Sequence, residues 1–148
     1  MKYIQLTQGK FALVDDEDFE NVNHFKWFYE KSGYACRRKS GRSIRMHRFI
    51  TNAPENMEVD HINGNGLDNR QENLRICTHK ENIRNAKVRK DNTSGYKGVY
   101  WHRLAKKWQA RVFFNGKHIS LGYFDTKDKA ANAYNQAAKQ YFGDFIRL

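Results

Sequence analysis

Asp60 and His61 stand side by side at the mouth of a loop rich in asparagine and glycine, and Asn73 lies at its far end. A neutral imidazole with a pKa near ~6.5 is suited to taking a proton from water close to neutral pH. A carboxylate beside it is the hard oxygen donor that Mg²⁺ accepts, and a hard cation is what the crowded charge of a phosphate and its departing oxygen needs. The pairing therefore has the residue types for phosphodiester hydrolysis. By itself, an Asp-His pair in a Gly/Asn loop reads by default as a turn with an incidental histidine. Successive residues of a regular strand also point to opposite faces, so the two serve one site only where the backbone is bent.

The flanking elements decide how these residues are held. A short strand leads into Asp60-His61, and Asn73-Leu74-Arg75-Ile76 offers a return strand. Thr78-His79-Lys80-Glu81 is a capping box that starts a helix running to about Arg89, with Asn82 one turn in and His79, Ile83 and Ala86 on the adjoining stripe. Upstream, Tyr3–Leu6 and Lys10–Val14 read as strands and Asp15–Val22 as an acidic helix. Further strands are expected over Trp27–Glu30, Tyr34–Arg38 and Ser43–Ile50, separated by Ser-Gly turns, with Pro54 marking another turn. His47, on the last of these strands, either faces the site and touches phosphate or is an ordinary strand residue.

Strand, loop, strand and capped helix, with the histidine on the first strand, resemble the ββα-metal unit of HNH endonucleases. Met46-His47-Arg48-Phe49, Asp60-His61-Ile62-Asn63-Gly64, Asp68-Asn69-Arg70, Glu72-Asn73-Leu74-Arg75 and Lys80-Glu81-Asn82 are similar in order and spacing to the small phage homing members. The resemblance implies Asp60 as metal ligand, His61 as general base, Asn82 as second metal ligand and Asn73 as the residue holding the loop together. His79 is the lesser candidate for the helix position. Many members carry a histidine where this chain has Asn82, and a carboxamide binds metal more weakly, so substrate would help complete the shell. The implied cofactor is a divalent metal, Mg²⁺ before Mn²⁺.

The charge balance agrees with such a substrate. The chain has 148 residues with 27 Lys+Arg against 16 Asp+Glu, a net charge of +11, which points to a polyanionic partner. The charge is patterned: residues 1–30 carry −3, residues 31–48 carry +7 with no acid, and residues 92–148 carry +7 again. With 39% hydrophobic and 14% aromatic residues, the chain has the apolar mass to fold. No apolar run approaches the ~20 residues of a membrane span, and Met1–Lys10 lacks the apolar centre of a secretory signal, so a cytosolic protein without a membrane partner is expected. Cys36 and Cys77 stand alone, which gives no expectation of a disulfide framework or a structural zinc.

After the polar stretch Val88–Ser94, strands are expected over Tyr96–Trp101, Lys107–Phe114 and Lys117–Leu121, with Asn115-Gly116 as a hairpin turn. Thr126 then caps an alanine-rich helix that can lie close on the sheet. The segments Ser94-Gly95-Tyr96-Lys97-Gly98-Val99, Lys107-Trp108-Gln109-Ala110-Arg111-Val112 and Leu121-Gly122-Tyr123-Phe124-Asp125-Thr126, with the alanine pattern over residues 130–138, resemble the ethylene-response-factor (APETALA) DNA-binding domain. The resemblance implies that the free sheet face enters the major groove, with Lys97, Tyr100, His102, Arg103, Arg111, Phe113, His118 and Ser120 toward DNA and Trp108 on the packed side. Tyr100, His102, His118 and Ser120 stand where the family favours Arg or Trp, so its base preference does not carry over.

The sequence thus predicts an α+β chain with a β-rich HNH unit over residues 1–91 and a three-stranded antiparallel sheet on one helix over residues 92–148. The expected activity is a metal-dependent, homing-type endonuclease acting on double-stranded DNA as a monomer, with a dimer on DNA possible, nicking one strand per active site, a double-strand break needing a second protomer or a second event. Two alternatives fit the same residues: a DNA-binding regulator with an inactive site, and an HNH nuclease that is nonspecific or directed by structure.

Overall fold

The computed structural model describes residues 1–143, 145 and 146. The chain forms two compact units, Met1–Asn85 and Ala86–Leu148. In the first, β1 (Lys2–Gln5) and β2 (Phe11–Val14) make an antiparallel hairpin whose alternation turns Ile4, Ala12 and Val14 inward. Helix α1 (Asp16–Asn23) follows, with Asp16, Glu17 and Asp18 in its first turn, where negative charge meets the positive end of the helix dipole. A three-stranded sheet, β3 (Phe28–Tyr29), β4 (Ala35–Lys39) and β5 (Arg42–Arg45), completes the support. Ile4, Leu6, Ala12, Val14, Val22, Trp27, Ala35 and Met46 form one buried cluster.

Ser43–Ile50 is not a single strand. After Arg45 the chain turns into helix α2 (Met46–Thr51), so His47 is a helical residue and is buried. Met46, Phe49 and Ile50 have the i, i+3, i+4 spacing of one helical face, and all three join the core. Asn52, in the left-handed region at φ 46°, ends the helix.

β6 (Glu58–His61) and β7 (Leu74–Cys77) pair antiparallel with Asp60 opposite Arg75 and His61 opposite Leu74. Helix α3 (His79–Asn85) carries the expected capping box: the Thr78 N–H donates to Glu81 Oε2 at 2.7 Å and the Glu81 N–H to Thr78 Oγ1 at 3.3 Å. It stops at Asn85 instead of Arg89. The basic stretch beyond has no apolar face to bury, with Val88 exposed, and a helix this short does not propagate without packing.

In the second unit β8 (Val99–His102), β9 (Lys107–Phe114) and β10 (Lys117–Phe124) form the expected antiparallel sheet in the order β10-β9-β8, and α4 (Lys127–Phe142) lies on it. Asn115 and Gly116, both at positive φ, make the tight turn. Thr126 Oγ1 accepts from the Lys129 N–H, as an N-cap should. Tyr96 and Lys97 precede the first strand: Asn92 and Ser94 hold this entry as a turn by bonds to the Tyr96 carbonyl. The third strand outruns its expected end because an extra residue, Leu121, is accommodated between Ser120 and Gly122.

Gly98 shows how tightly the helix sits. Its φ is +65°, and a Cβ there would lie 2.2 Å from two ring carbons of Tyr134 and 2.6 Å from the Arg111 carbonyl oxygen. Gly98→Ala is expected to destabilise this unit by about 3 kcal/mol, from left-handed strain together with overpacking, read as a lowered thermal midpoint by circular dichroism.

Candidate active site and nucleic-acid interface

Asp60 is only 6% exposed, and both its oxygens are engaged. Arg75, its partner across the ribbon, donates from Nε and Nη2 to Oδ2 at 2.9 and 2.6 Å, and Asn85 Nδ2 donates to Oδ1 at 2.9 Å. Asn85, itself 4% exposed, also donates to the backbone carbonyl of His61 at 3.0 Å. The last residue of α3 thus clamps the end of β6. Asn82, one turn earlier, donates instead to Glu58, whose other oxygen meets His79 Nδ1 at 2.7 Å. Asn82 and His79 therefore gather at the start of β6, while Asn85, which the sequence motif does not single out, gathers at Asp60.

His61 has a different set of neighbours. Its Nε2 lies 3.4 Å from Asn69 Oδ1, and its ring meets those of His47 edge-on at 4.9 Å and Tyr34 at 5.7 Å. His47 lies on helix α2 and not on the expected strand, and it is buried against the His61 ring as a wall of that pocket. Burial pushes the pKa of both imidazoles down, that of His47 to about 3, with the neighbouring His61 adding to its shift. Both rings are neutral near pH 7.

The connecting loop is held by its own polar side chains. Asn73 accepts from the Asn63 N–H at 3.0 Å and donates to the Asp68 carbonyl at 2.7 Å. Asp68 accepts from Asn63 and from Arg70 Nε and Nη2, all at 2.8 Å. Beyond the loop itself, Leu13 of β2 donates to the Leu67 carbonyl and accepts from the Asn69 N–H, each at 2.8 Å, and Asp15 accepts from the Gln71 N–H at 2.7 Å. Arg48 closes the approach to β6 by donating to the carbonyls of Met57, Ala53 and Pro54.

Among the described residues no group of three or more His, Cys, Asp or Glu side chains could hold a metal. The oxygen donors present, the Asp60 carboxylate and the carboxamides of α3, suit Mg²⁺, which takes one or two carboxylates and fills its remaining positions with water and substrate oxygens. They do not suit zinc, which wants nitrogen or sulfur. Cys77 is buried, and burial holds its thiol protonated with a pKa of about 11.

In the second unit the side of the sheet away from α4 presents cross-strand rows. Tyr100 and Tyr123 flank Gln109, Arg111 faces Ser120, and Phe113 faces His118. The Arg111 guanidinium stacks over Tyr100 at 4.4 Å. His102 Nδ1 accepts from the Ala105 N–H at 3.1 Å and its ring meets Tyr123 at 5.0 Å. Trp108 packs on the helix side with Val99, Ala110 and Ala130. Lys97 and Arg103 lie before and after β8, and Arg103 is exposed. Gln109 and Tyr123 belong to this face and were missed from sequence, Tyr123 because the extra residue in β10 resets the alternation.

A two-stranded ribbon ending in Asp-His, closed by a helix whose asparagine reaches the carboxylate, defines the ββα-metal class. Known proteins agree. Residues 52–84 match the HNH endonuclease family model and residues 94–144 the AP2 domain. The chain is 33% identical over 145 residues to an HNH endonuclease of Acanthamoeba polyphaga mimivirus, covering 93% of this chain and 74% of that protein. It therefore belongs to the HNH endonuclease family and carries an AP2 DNA-binding domain in its second unit. A prophage-derived protein of Bacillus subtilis, named among the HNH homing endonucleases, is 41% identical over 63 residues, covering 39% of this chain and 36% of its own length. An AP2-like ethylene-responsive transcription factor of Arabidopsis thaliana is 37% identical over 54 residues, 36% of this chain and 11% of the factor. No solved structure matches the chain.

The buried imidazoles set an acid limit on stability. A folded-state pKa near 3 for His47 against about 6.5 unfolded means that the unfolded chain binds the proton first. Stability should fall as pH drops below ~6.5, by up to about 1.4 kcal/mol per pH unit for this residue, and level off near pH 3. Chemical denaturation between pH 7 and 4 should show that slope, reduced in His47→Phe.

Proposed function

We propose that the chain is a sequence-directed DNA endonuclease of the homing type, hydrolysing phosphodiester bonds with a divalent metal and nicking one strand per active site. The observation that carries this reading is the buried Asp60, anchored to α3 by Asn85 beside a neutral His61, in a chain that also bears a DNA-binding sheet. Asn69 lies 3.4 Å from His61 Nε2 and orients the ring, and the neutral imidazole would take a proton from water. Arg75 and Asn85 fix the direction of the Asp60 carboxylate. Asp60 and a carboxamide oxygen of Asn82 or Asn85 would hold Mg²⁺, which supplies positive charge to the scissile phosphate and its departing oxygen. The AP2 sheet selects the site.

Supercoiled plasmid incubated with Mg²⁺ should become nicked circles, and EDTA should abolish this. His61→Ala should lower the rate by about 10²- to 10⁴-fold while DNA binding persists. Asn85→Ala should raise the Mg²⁺ concentration needed for half-maximal rate more than Asn82→Ala, since only Asn85 touches Asp60. Tight binding without cleavage under any divalent metal would establish the inactive-regulator alternative instead. Arg111→Ala should weaken DNA binding and make the salt dependence shallower by about one unit if the guanidinium meets a phosphate.

A further inference from the structure

The free sheet face has a chemistry of its own, and it is not that of a guanine reader. In the major groove guanine is read chiefly by Arg or Lys on O6 and N7, adenine by Asn or Gln on N6 and N7, and thymine by apolar contact with its methyl group. The central row here is a carboxamide between two phenols: Gln109 sits opposite Tyr100 on one side and Tyr123 on the other. The Gln109 Nε2 is 3.4 Å from both Ser120 Oγ and Tyr123 OH, two side chains of the same face. Two rows away Phe113 leaves 56% of its surface in solvent beside His118. Arg111, the guanidinium of β9 on this face, lies flat on Tyr100. Exposed aromatic surface of this extent on a strongly basic unit marks a contact surface, and the charge selects nucleic acid as its occupant.

We propose that this sheet selects A·T base pairs in the major groove, Gln109 bonding the adenine edge and Phe113 contacting thymine methyl groups. The inference rests on the reading that the second unit binds duplex DNA through this face. It assigns a substrate class to that reading: A·T-rich target sites, with Gln109 and Phe113 as the residues that determine them.

Base analogues test the two interactions separately. Duplexes enriched by the full-length chain from a random library, in EDTA so that nothing is cut, are recopied with deoxyuridine for thymidine or with 7-deazadeoxyadenosine for deoxyadenosine. The first change removes only methyl groups, the second only the adenine N7 acceptor. Affinity should fall about fourfold for each thymine methyl removed beneath Phe113, and about tenfold for each adenine whose N7 no longer accepts from Gln109. Phe113→Ser should bind thymidine and deoxyuridine duplexes alike, and Gln109→Ala should become indifferent to 7-deazadeoxyadenosine, each variant keeping the wild-type circular dichroism. Enrichment of G·C-rich sites, or wild-type binding indifferent to both analogues, would overturn the proposal while leaving the sheet as the DNA-binding surface. If Gln109→Ala, Phe113→Ser and Arg111→Ala all left affinity for the enriched duplexes unchanged, the surface itself would be misassigned, and the proposal would fall with it.

Discussion

A carboxylate buried on a two-stranded ribbon cannot be left alone: stripped of water, it needs charge and hydrogen bonds from the protein. The first unit meets that need for Asp60 from two directions, with Arg75 across the ribbon and Asn85 from the helix. The Asn85 bond also ties α3 to β6. Removing one partner of such a buried pair costs about 3–5 kcal/mol, so helix placement and carboxylate orientation stand or fall together. A helix of seven residues is held here by polar bonds to β6, from Asn85 to Asp60 and the His61 carbonyl and from Asn82 and His79 to Glu58.

His61 is governed by the opposite requirement. Its pocket is built from the rings of His47 and Tyr34, and both histidines are held neutral by burial. Adjacent residues thus meet different surroundings: Asp60 lies against Arg75 and Asn85, His61 against His47, Tyr34 and Asn69.

Much of this was legible in the chain. The capping box at Thr78–Glu81, the Asn115-Gly116 turn and the Thr126 cap are local chemistry that needs no distant partner, and each appears where the residues place it. What escaped depended on tertiary context. Ser43–Ile50 reads as a continuous strand, but Met46, Phe49 and Ile50 are drawn into a helix by the core they share. Asn82 and Asn85 lie on the same face of α3 one turn apart, and only their distance along β6 decides that one meets Glu58 and the other Asp60. Asn69 looked like one more loop asparagine until the fold set it against the His61 ring. The surplus residue in β10 has no sequence mark beyond a glycine, yet it moves Tyr123 to the face opposite the one that simple alternation assigns.

The docking of the Asn-rich loop on β2 bears on the extent of the HNH unit. The segment that matches the HNH family starts at residue 52, but Asn69 is carried by a backbone bond to Leu13, and Gln71 by a bond from its N–H to the Asp15 carboxylate. The amino-terminal hairpin is thus scaffolding for the imidazole, although it contributes no atom to it. A transplant of the family segment into another chain would take the motif and leave its foundation behind.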